Sequence, residues 1–168
     1  MTQAIHMLDL LRWIGGKPVR VVAVAGSLRH DIEVEDTLVM AIEFGSGVIA
    51  AIEASTALRP GYPMRLEVHT TAGTLMLEEN ELVRLDVPGA SVLFPSVGRK
   101  TAFERSPSPT ELKLEPHRRQ IEDFVQAVRD DRDPAVTGED ARETLRLVLA
   151  AYASVREGRE IPLAEGGW

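Results

Sequence analysis

Two β-rich runs joined by a short glycine turn constrain the fold of this chain most. The runs are Thr37 to Phe44 and Val48 to Ala57, and Gly45-Ser46-Gly47 separates them, which predicts an antiparallel hairpin. Neither side of these strands is clearly polar, unlike a sheet with one solvated face. Because so apolar a face would be a sticky patch, its simplest cover is a second copy about a two-fold axis. We therefore predict a homodimer formed through the open sheet face.

The elements around this hairpin place helices at both ends of the chain and strands between them. An amphipathic helix over residues 1–16 ends at Gly15-Gly16, and a capping box of Thr137 and Asp140 begins a helix that reaches about Val155. The remaining elements are a helix at about 117–130, strands at 19–28, 64–70, 74–78 and 81–87, an irregular excursion at 88–116 with five prolines, and an extended tail at 159–163. Runs of strands followed by helices indicate an α+β domain. We expect an open, mostly antiparallel sheet with helices packed on one face.

Composition narrows the class of protein. The chain has 168 residues, 44% hydrophobic and 27% charged, which is typical of one globular domain spanning residues 1–168. The net charge of −7 argues against nucleic acid and against an anionic membrane as partners. The absence of cysteine excludes disulfides and thiolate chemistry, and no apolar run has the roughly 18 residues of a membrane span. With no signal-peptide pattern either, we expect a soluble cytoplasmic domain.

His6 is the leading candidate for chemistry. On a helix it shares a narrow wedge with Thr2, Asp9 and Trp13, whereas apolar residues fill the opposite face. A histidine with a carboxylate one turn away can act as a general acid or base with a tuned pKa. The same spacing fits a half-buried helix histidine with no role, and spacing alone leaves both interpretations open.

The sequence predicts neither a metal site nor a cofactor site in this chain. His6 and Asp9 supply only two ligands, and the other histidines, His30, His69 and His117, lie in unrelated contexts. No G-x-G-x-x-G motif follows a strand, and there is no P-loop. The glycine turn of the hairpin lies between two strands rather than before a helix. We expect the chain alone to bind no cofactor.

Several segments together resemble the C-terminal domain of the Gfo/Idh/MocA oxidoreductase family, which includes glucose–fructose oxidoreductase and inositol dehydrogenase. The family's helix and following strand are similar to MTQAIHMLDLLRWIGGKPVRVVAV, and its central hairpin is similar to EDTLVMAIEFGSGVIAAIEAST. The later strand pair resembles RLEVHTTAGTLMLE, and the closing helix pair resembles HRRQIEDFVQAVRDDRDPAVTGEDARETLRLVLAAYASVREGREIPL. The resemblance spans nearly the whole chain in the family's order.

The resemblance implies an NAD(P)-dependent dehydrogenase or reductase that acts on a sugar, a polyol or a similar small molecule. His6 falls on the family's catalytic or substrate-binding histidine, which contacts the hydroxyl or carbonyl that reacts. The family's frequent catalytic aspartate falls on Thr2, which can hydrogen-bond a substrate but cannot take up a proton. Asp9 matches a later aspartate, expected at the substrate-binding site in an orienting or structural role. The chemistry is then expected to depend on His6 and on a lysine of the family's E-K-P motif.

That lysine and the nicotinamide site belong to an N-terminal Rossmann domain, which this sequence lacks. The resemblance therefore suggests a truncated product or one half of a split enzyme, inactive alone, whose partner is a separate or missing Rossmann domain. The alternative is a free-standing, non-catalytic dimeric scaffold or small-ligand-binding module.

Overall fold

The computed structural model describes residues 4–79, 81–90 and 114–163. The order of its helices and strands confirms the α+β prediction: α1 (Ile5–Gly15), β1 (Pro18–Gly26), β2 (Thr37–Phe44), β3 (Ile49–Ser55), β4 (Arg65–Thr70), β5 (Gly73–Glu78), β6 (Glu81–Asp86), α2 (Leu114–Asp130), α3 (Gly138–Glu157) and β7 (Ile161–Pro162). Every described strand pair is antiparallel. None of the helices in these ranges has the length and apolar character needed to cross a membrane.

The strands divide between two sheets rather than forming one meander. One sheet has the order β3-β2-β1-β7, and the other has the order β4-β5-β6. The two sheets belong to different compact units, Met1–Pro60 with His117–Trp168, and Gly61–Pro116. The predicted extended tail supplies the seventh strand, which pairs with β1 through Arg20–Pro162 and Val21–Ile161.

One face of the four-stranded sheet forms the core of its unit. Along β1 and β2 the inward side chains alternate with outward ones, and the inward ones are buried: Val21, Ala23, Leu38, Met40, Ile42 and Phe44. Helix α3 covers this face with buried small residues, including Ala150 and Ala151. The strand β7 pairs with β1 only at Arg20 and Val21. Further along β1, the Ala23 N–H donates instead to the Ser154 hydroxyl of α3 (2.9 Å). Helix and sheet are therefore joined by polar as well as apolar contacts.

The buried stripe of α3 differs from the apolar face that the sequence indicates. That face, Ala141, Leu145, Val148, Leu149 and Tyr152, includes two leucines that are exposed. The buried residues are instead Thr144, Leu147, Val148, Ala150, Ala151, Ala153 and Ser154. Small side chains let the helix approach β1 closely, so close packing selects the alanine-rich side over the leucine-rich one.

The outer face of the same sheet is exposed and mostly apolar, as the hairpin pattern predicts, although exposed Glu53 lies on it opposite Val39. Val24 is 74% exposed and Val39 is 51% exposed, and these two residues are cross-strand partners. Val22 and Ala41 form the next outward pair and are also exposed. An ion cluster of Arg20 with Glu43 and Glu160 lies at one end of this face. Within the unit, the described elements leave this face uncovered.

Helix ends follow the predicted capping chemistry. Gly16 ends α1 with a positive φ of 87°, and its N–H donates to the Arg12 carbonyl (2.8 Å). The Thr137 hydroxyl accepts the Asp140 N–H (3.2 Å) at the start of α3. At Gly15 a side chain would meet the Phe44 ring at 2.9 Å, so glycine lets α1 lie against β2.

In the smaller unit, β4 and β5 join through a turn held by Thr70. Its hydroxyl accepts the N–H groups of Ala72 and Gly73, both at 3.1 Å. Gly73 has φ 151°, and a Cβ there would lie 2.2 Å from the Asp86 carbonyl oxygen. Glycine is required at this position because β6 approaches so closely.

Candidate functional site

The first turn of α1 presents His6 to solvent. The helix begins at Ile5, contacts α3, and buries Leu8 and Leu11. His6 lies on the outer stripe and is exposed rather than half-buried. No hydrogen bond joins its imidazole to any other residue that the structure describes. Thr2, the predicted substrate-binding neighbour, lies outside the described residues.

Asp9 lies one turn further along α1 and is fixed by α3. The hydroxyl of buried Thr144 donates a hydrogen bond to Asp9 Oδ1, and Arg12 Nη2 lies 3.5 Å from the same oxygen. The described contacts of Asp9 run to α3 and to Arg12, and none of them joins it to His6. Its side chain nevertheless stays 49% exposed.

Arg12 completes a polar clamp between the two helices. Its Nε donates to Thr144 Oγ1 (2.8 Å), and its Nη2 donates to Asp140 Oδ1 (2.6 Å). Asp9 precedes Arg12 on α1, whereas its partner Thr144 follows Asp140, the partner of Arg12, on α3. The two helices therefore run antiparallel. We call Asp9, Arg12, Asp140 and Thr144 the α1–α3 clamp; it fixes the helix that carries His6.

A shallow surface hollow lies at the far end of α1. Its volume is about 440 Å³, and its lining includes Trp13, Lys17, Glu143 and Arg146. Trp13 is 76% exposed there. Trp13 lies seven positions after His6 in the sequence, which is about 10 Å along a helix axis. The structure therefore does not bring this hollow to His6.

Two carboxylates directly before β2, Glu35 and Asp36, have specific partners. Asp36 is fully buried and accepts the backbone N–H groups of Leu28 (2.9 Å), Arg29 (2.8 Å) and His30 (2.9 Å). These backbone hydrogen bonds hold the pKa of Asp36 far below its ordinary value. Glu35 accepts a hydrogen bond from the Tyr152 hydroxyl (2.9 Å). Burial, with this hydrogen bond, raises the pKa of Tyr152 to about 12.

The glycine turn of the β2–β3 hairpin is not a dinucleotide-binding loop. The turn Gly45-Ser46-Gly47 closes the β2–β3 hairpin through a bond from the Gly47 N–H to the Phe44 carbonyl (2.9 Å). No helix N-terminus follows it to bind a pyrophosphate. In the ranges that the structure describes, no group of three or more acidic, histidine or cysteine side chains is arranged to hold a metal ion.

The chain matches the model of one protein family and several curated dehydrogenases. The model of a family described as "Oxidoreductase family, C-terminal alpha/beta domain" matches residues 1–163, which confirms the resemblance found in the sequence. The myo-inositol 2-dehydrogenase of Thermotoga maritima is 29% identical over 98% of this chain and 49% of its own length. The D-apiose dehydrogenase of Paraburkholderia graminis is 29% identical over 95% of this chain and 43% of its own length. The chain thus spans about half the length of the curated relatives it matches.

Solved structures show the same fold. The WlbA dehydrogenase of Bordetella pertussis, in complex with NADH and UDP-GlcNAcA, superposes with a TM-score of 0.77 at 25% identity, over 98% of this chain and 45% of that one. The aldose-aldose oxidoreductase of Caulobacter crescentus, complexed with glycerol, gives 0.68 at 25% identity, over 95% of this chain and 46% of that one.

Proposed function

This chain belongs to the Gfo/Idh/MocA oxidoreductase family, whose model covers residues 1–163, and from that membership we propose that it is the substrate-binding and dimerisation part of an NAD(P)-dependent oxidoreductase. The substrate is a sugar, a polyol or a related hydroxyl or carbonyl compound. The observation that carries the proposal is an exposed His6 on a helix that the α1–α3 clamp holds in place. The nicotinamide site is assigned to a Rossmann domain outside residues 1–168, and these residues by themselves are proposed to be inactive.

His6 is assigned the role of acid or base toward the substrate oxygen. An imidazole can accept the proton that a hydroxyl loses on oxidation, or donate it to a carbonyl in the reverse direction. Asp9 is assigned a binding and orienting role, since half of its side chain is exposed while one oxygen is already bonded to Thr144. Thr2 is assigned a hydrogen bond to the substrate. The relatives named as inositol and apiose dehydrogenases support a polyhydroxylated substrate.

The outer face of the four-stranded sheet is assigned to a second copy of the chain. Its central residues, Val22, Val24, Val39 and Ala41, are exposed and uncharged. Because burying such side chains against one another is favourable, two copies meeting across this face gain stability that a single copy lacks.

Reconstitution tests the catalytic part of this proposal. The chain is mixed with a separately produced dinucleotide-binding domain of a relative, and reduced cofactor is measured over a panel of polyols and sugars. We expect His6→Ala to lower the rate by roughly 10²–10⁴-fold, the usual contribution of a general acid or base. The matched control is His69→Ala, an exposed histidine on β4, which keeps the wild-type rate. A wild-type rate in His6→Ala would refute the assigned role.

A free-standing, non-catalytic dimeric scaffold or small-ligand-binding module is the second candidate. It is favoured by the lack of a dinucleotide cradle among the described residues, beside an apolar outer face ready for self-association. Saturation-transfer NMR on the chain alone, with myo-inositol as the probe, separates the two candidates. Binding that His6→Ala abolishes supports the first, whereas a dimer that neither binds polyols nor complements any partner domain supports the second.

A further inference from the structure

The hollow at the carboxyl end of α1 combines an exposed indole with several charged side chains, and the proposed function does not use it. We call it the indole hollow; its lining is Arg12, Trp13, Gly16, Lys17, Pro18, Glu143 and Arg146. Trp13 is 76% exposed, although an aromatic ring of this size contributes most when a partner buries it. The volume of about 440 Å³ lies within the usual range of sites for small molecules, roughly 300–1,000 Å³.

The charged walls of the indole hollow are already held in place. The guanidinium of Arg12 donates to Thr144 Oγ1 (2.8 Å) and to Asp140 Oδ1 (2.6 Å), and only 13% of its side chain is exposed. The guanidinium of Arg146 donates to both carboxylate oxygens of Glu143, at 3.0 and 3.1 Å. Because these side chains are fixed before a ligand arrives, binding costs less conformational entropy than ordering free arginines would.

The charge of the indole hollow is opposite in sign to that of the chain. Three of its four charged side chains are cationic, namely Arg12, Lys17 and Arg146, whereas the chain has a net charge of −7. The one acidic side chain in the lining, Glu143, is bonded through both oxygens to Arg146. A concave surface with cationic walls concentrates small anions, so the hollow favours an anionic ligand over a neutral one.

The indole and the cations recognise different parts of one ligand. An exposed indole offers a flat apolar face on which another ring can stack. Guanidinium and ammonium groups bind carboxylate or phosphate through charge-assisted hydrogen bonds. Gly16 borders open space in this lining, since a Cβ built there would meet nothing within 4 Å. A molecule can therefore approach the end of α1 without displacing a side chain at this position.

We propose that the indole hollow binds a small organic anion that carries a flat ring, such as an aryl phosphate or an aryl carboxylate. The ring stacks on the indole of Trp13, and the anionic group lies toward Lys17 and Arg146. The site is separate from the proposed chemistry, because Trp13 lies about 10 Å along α1 from His6. The inference is thus independent of the proposed function, and failure of one leaves the other standing.

Titration with phenyl phosphate, observed at Trp13 itself, tests the inference. The chain has two tryptophans, so Trp168→Phe leaves the indole N–H of Trp13 as a single resonance in a proton–nitrogen NMR spectrum. We expect this resonance to shift saturably, with a dissociation constant in the millimolar range. Inorganic phosphate supplies the anion without a ring, and benzyl alcohol supplies the ring without a charge. We expect each of them to bind at least roughly tenfold more weakly than phenyl phosphate.

Two substitutions that each remove one positive charge separate the hollow from the net charge of the chain. In the Trp168→Phe background we expect Lys17→Ala to raise the dissociation constant for phenyl phosphate by roughly fivefold or more. Arg159→Ala is the matched control, since Arg159 is 61% exposed and follows Glu157, the last residue of α3, about 16 Å beyond Arg146 along the helix axis. We expect this control to leave the constant unchanged.

Saturation transfer to the ring protons of phenyl phosphate gives a second measurement. We expect Trp13→Ala to lose most of the transfer that the wild type shows, whereas Trp168→Phe should retain it. Because the side chain of Trp13 is exposed, its removal leaves the core intact, which thermal melting checks. Three results would each overturn the inference: the absence of a saturable shift, equal binding of phosphate or benzyl alcohol, and equal weakening by Lys17→Ala and Arg159→Ala.

Discussion

At the residue scale, the buried carboxylate of Asp36 organises the loop between β1 and β2. Backbone hydrogen bonds hold its folded-state pKa below the ordinary value of 3.8, so its stabilisation is fully present above about pH 4 and is lost as the pH falls through the folded-state value. We expect Asp36→Asn to lower the melting temperature at neutral pH by roughly 5 °C or more. The difference between wild type and variant should shrink on acidification below about pH 4.

Thermal melts over this pH range check the Asp36 prediction. Asp133→Asn is the control, since Asp133 is an exposed carboxylate with no side-chain hydrogen bond among the described contacts. A melting difference for Asp36→Asn that stays constant from neutral to acidic pH would contradict the assigned ionised role.

Tyr152 offers a second titration, this time at high pH. Its pKa is raised to about 12 by burial and by the hydrogen bond to Glu35. Because the folded-state value lies above the ordinary value of 10, the stabilisation it reflects is present below about pH 10 and is lost as the pH rises toward 12. The chain has two tyrosines, so Tyr62→Phe isolates Tyr152 for ultraviolet titration. We expect a midpoint near 12, and a midpoint near 10 in folded protein would disprove the coupling.

The sequence placed His6 and Asp9 together on one helix, because the helical period alone decides which residues share a side of α1. It did not anticipate the partners of Asp36 or Tyr152. The N–H groups that Asp36 accepts lie six to eight residues upstream and converge only after the loop has folded back. The Tyr152 hydroxyl reaches Glu35, 117 residues away in sequence, which no local pattern encodes.

At the element scale, the α1–α3 clamp holds the helix of His6. Thr144 is its centre, since its hydroxyl accepts from Arg12 and donates to Asp9. We expect Thr144→Val, which keeps the shape but removes the hydroxyl, to lower the free energy of unfolding by about 1–3 kcal/mol, because both partners lose a hydrogen bond. Urea denaturation measures the change. The control Thr71→Val, at an exposed turn, should change it little, and equal stability of Thr144→Val and wild type would argue against the clamp.

The faces of α2 and α3 mark the limit of prediction from periodicity. The sequence identifies both helices and the cap of α3 correctly, because these depend on local chemistry. Which stripe is buried depends on the partner surface. On α3 the alanine-rich side packs on β1, and on α2 the apolar residues Ile121, Phe124, Val125 and Val128 are exposed. An apolar stripe thus predicts a helix more securely than it predicts that helix's partner.

At the scale of the whole molecule, alternation along each strand predicted strand positions and the antiparallel hairpin, but not the division into two sheets. Residues 56–63 contain Pro60 and Pro63 and carry no signal for which strands pair across them. Strand pairing is a long-range choice, since backbone hydrogen bonds are equivalent wherever they form. The apolar character of both hairpin faces was predictable from alternation, whereas the register of β1 and β2 is what puts Val22, Val24 and Val39 on one side.

That outer face leads to a prediction about the stability of the assembled molecule. If two copies bury it together, folding is coupled to association, and the melting temperature depends on protein concentration. We expect the wild type to melt several degrees higher after a hundredfold increase in concentration.

Val39→Asp places a charge in the centre of the face, where burial of an unpaired carboxylate is costly. Its melting temperature should be independent of concentration and close to that of the dilute wild type, because Val39 is 51% exposed in the single copy and contributes little to its core. Calorimetry or circular dichroism at several concentrations checks both statements. A wild-type melting temperature that does not change with concentration, together with a monomeric mass, would mean that the outer face is not buried against a second copy.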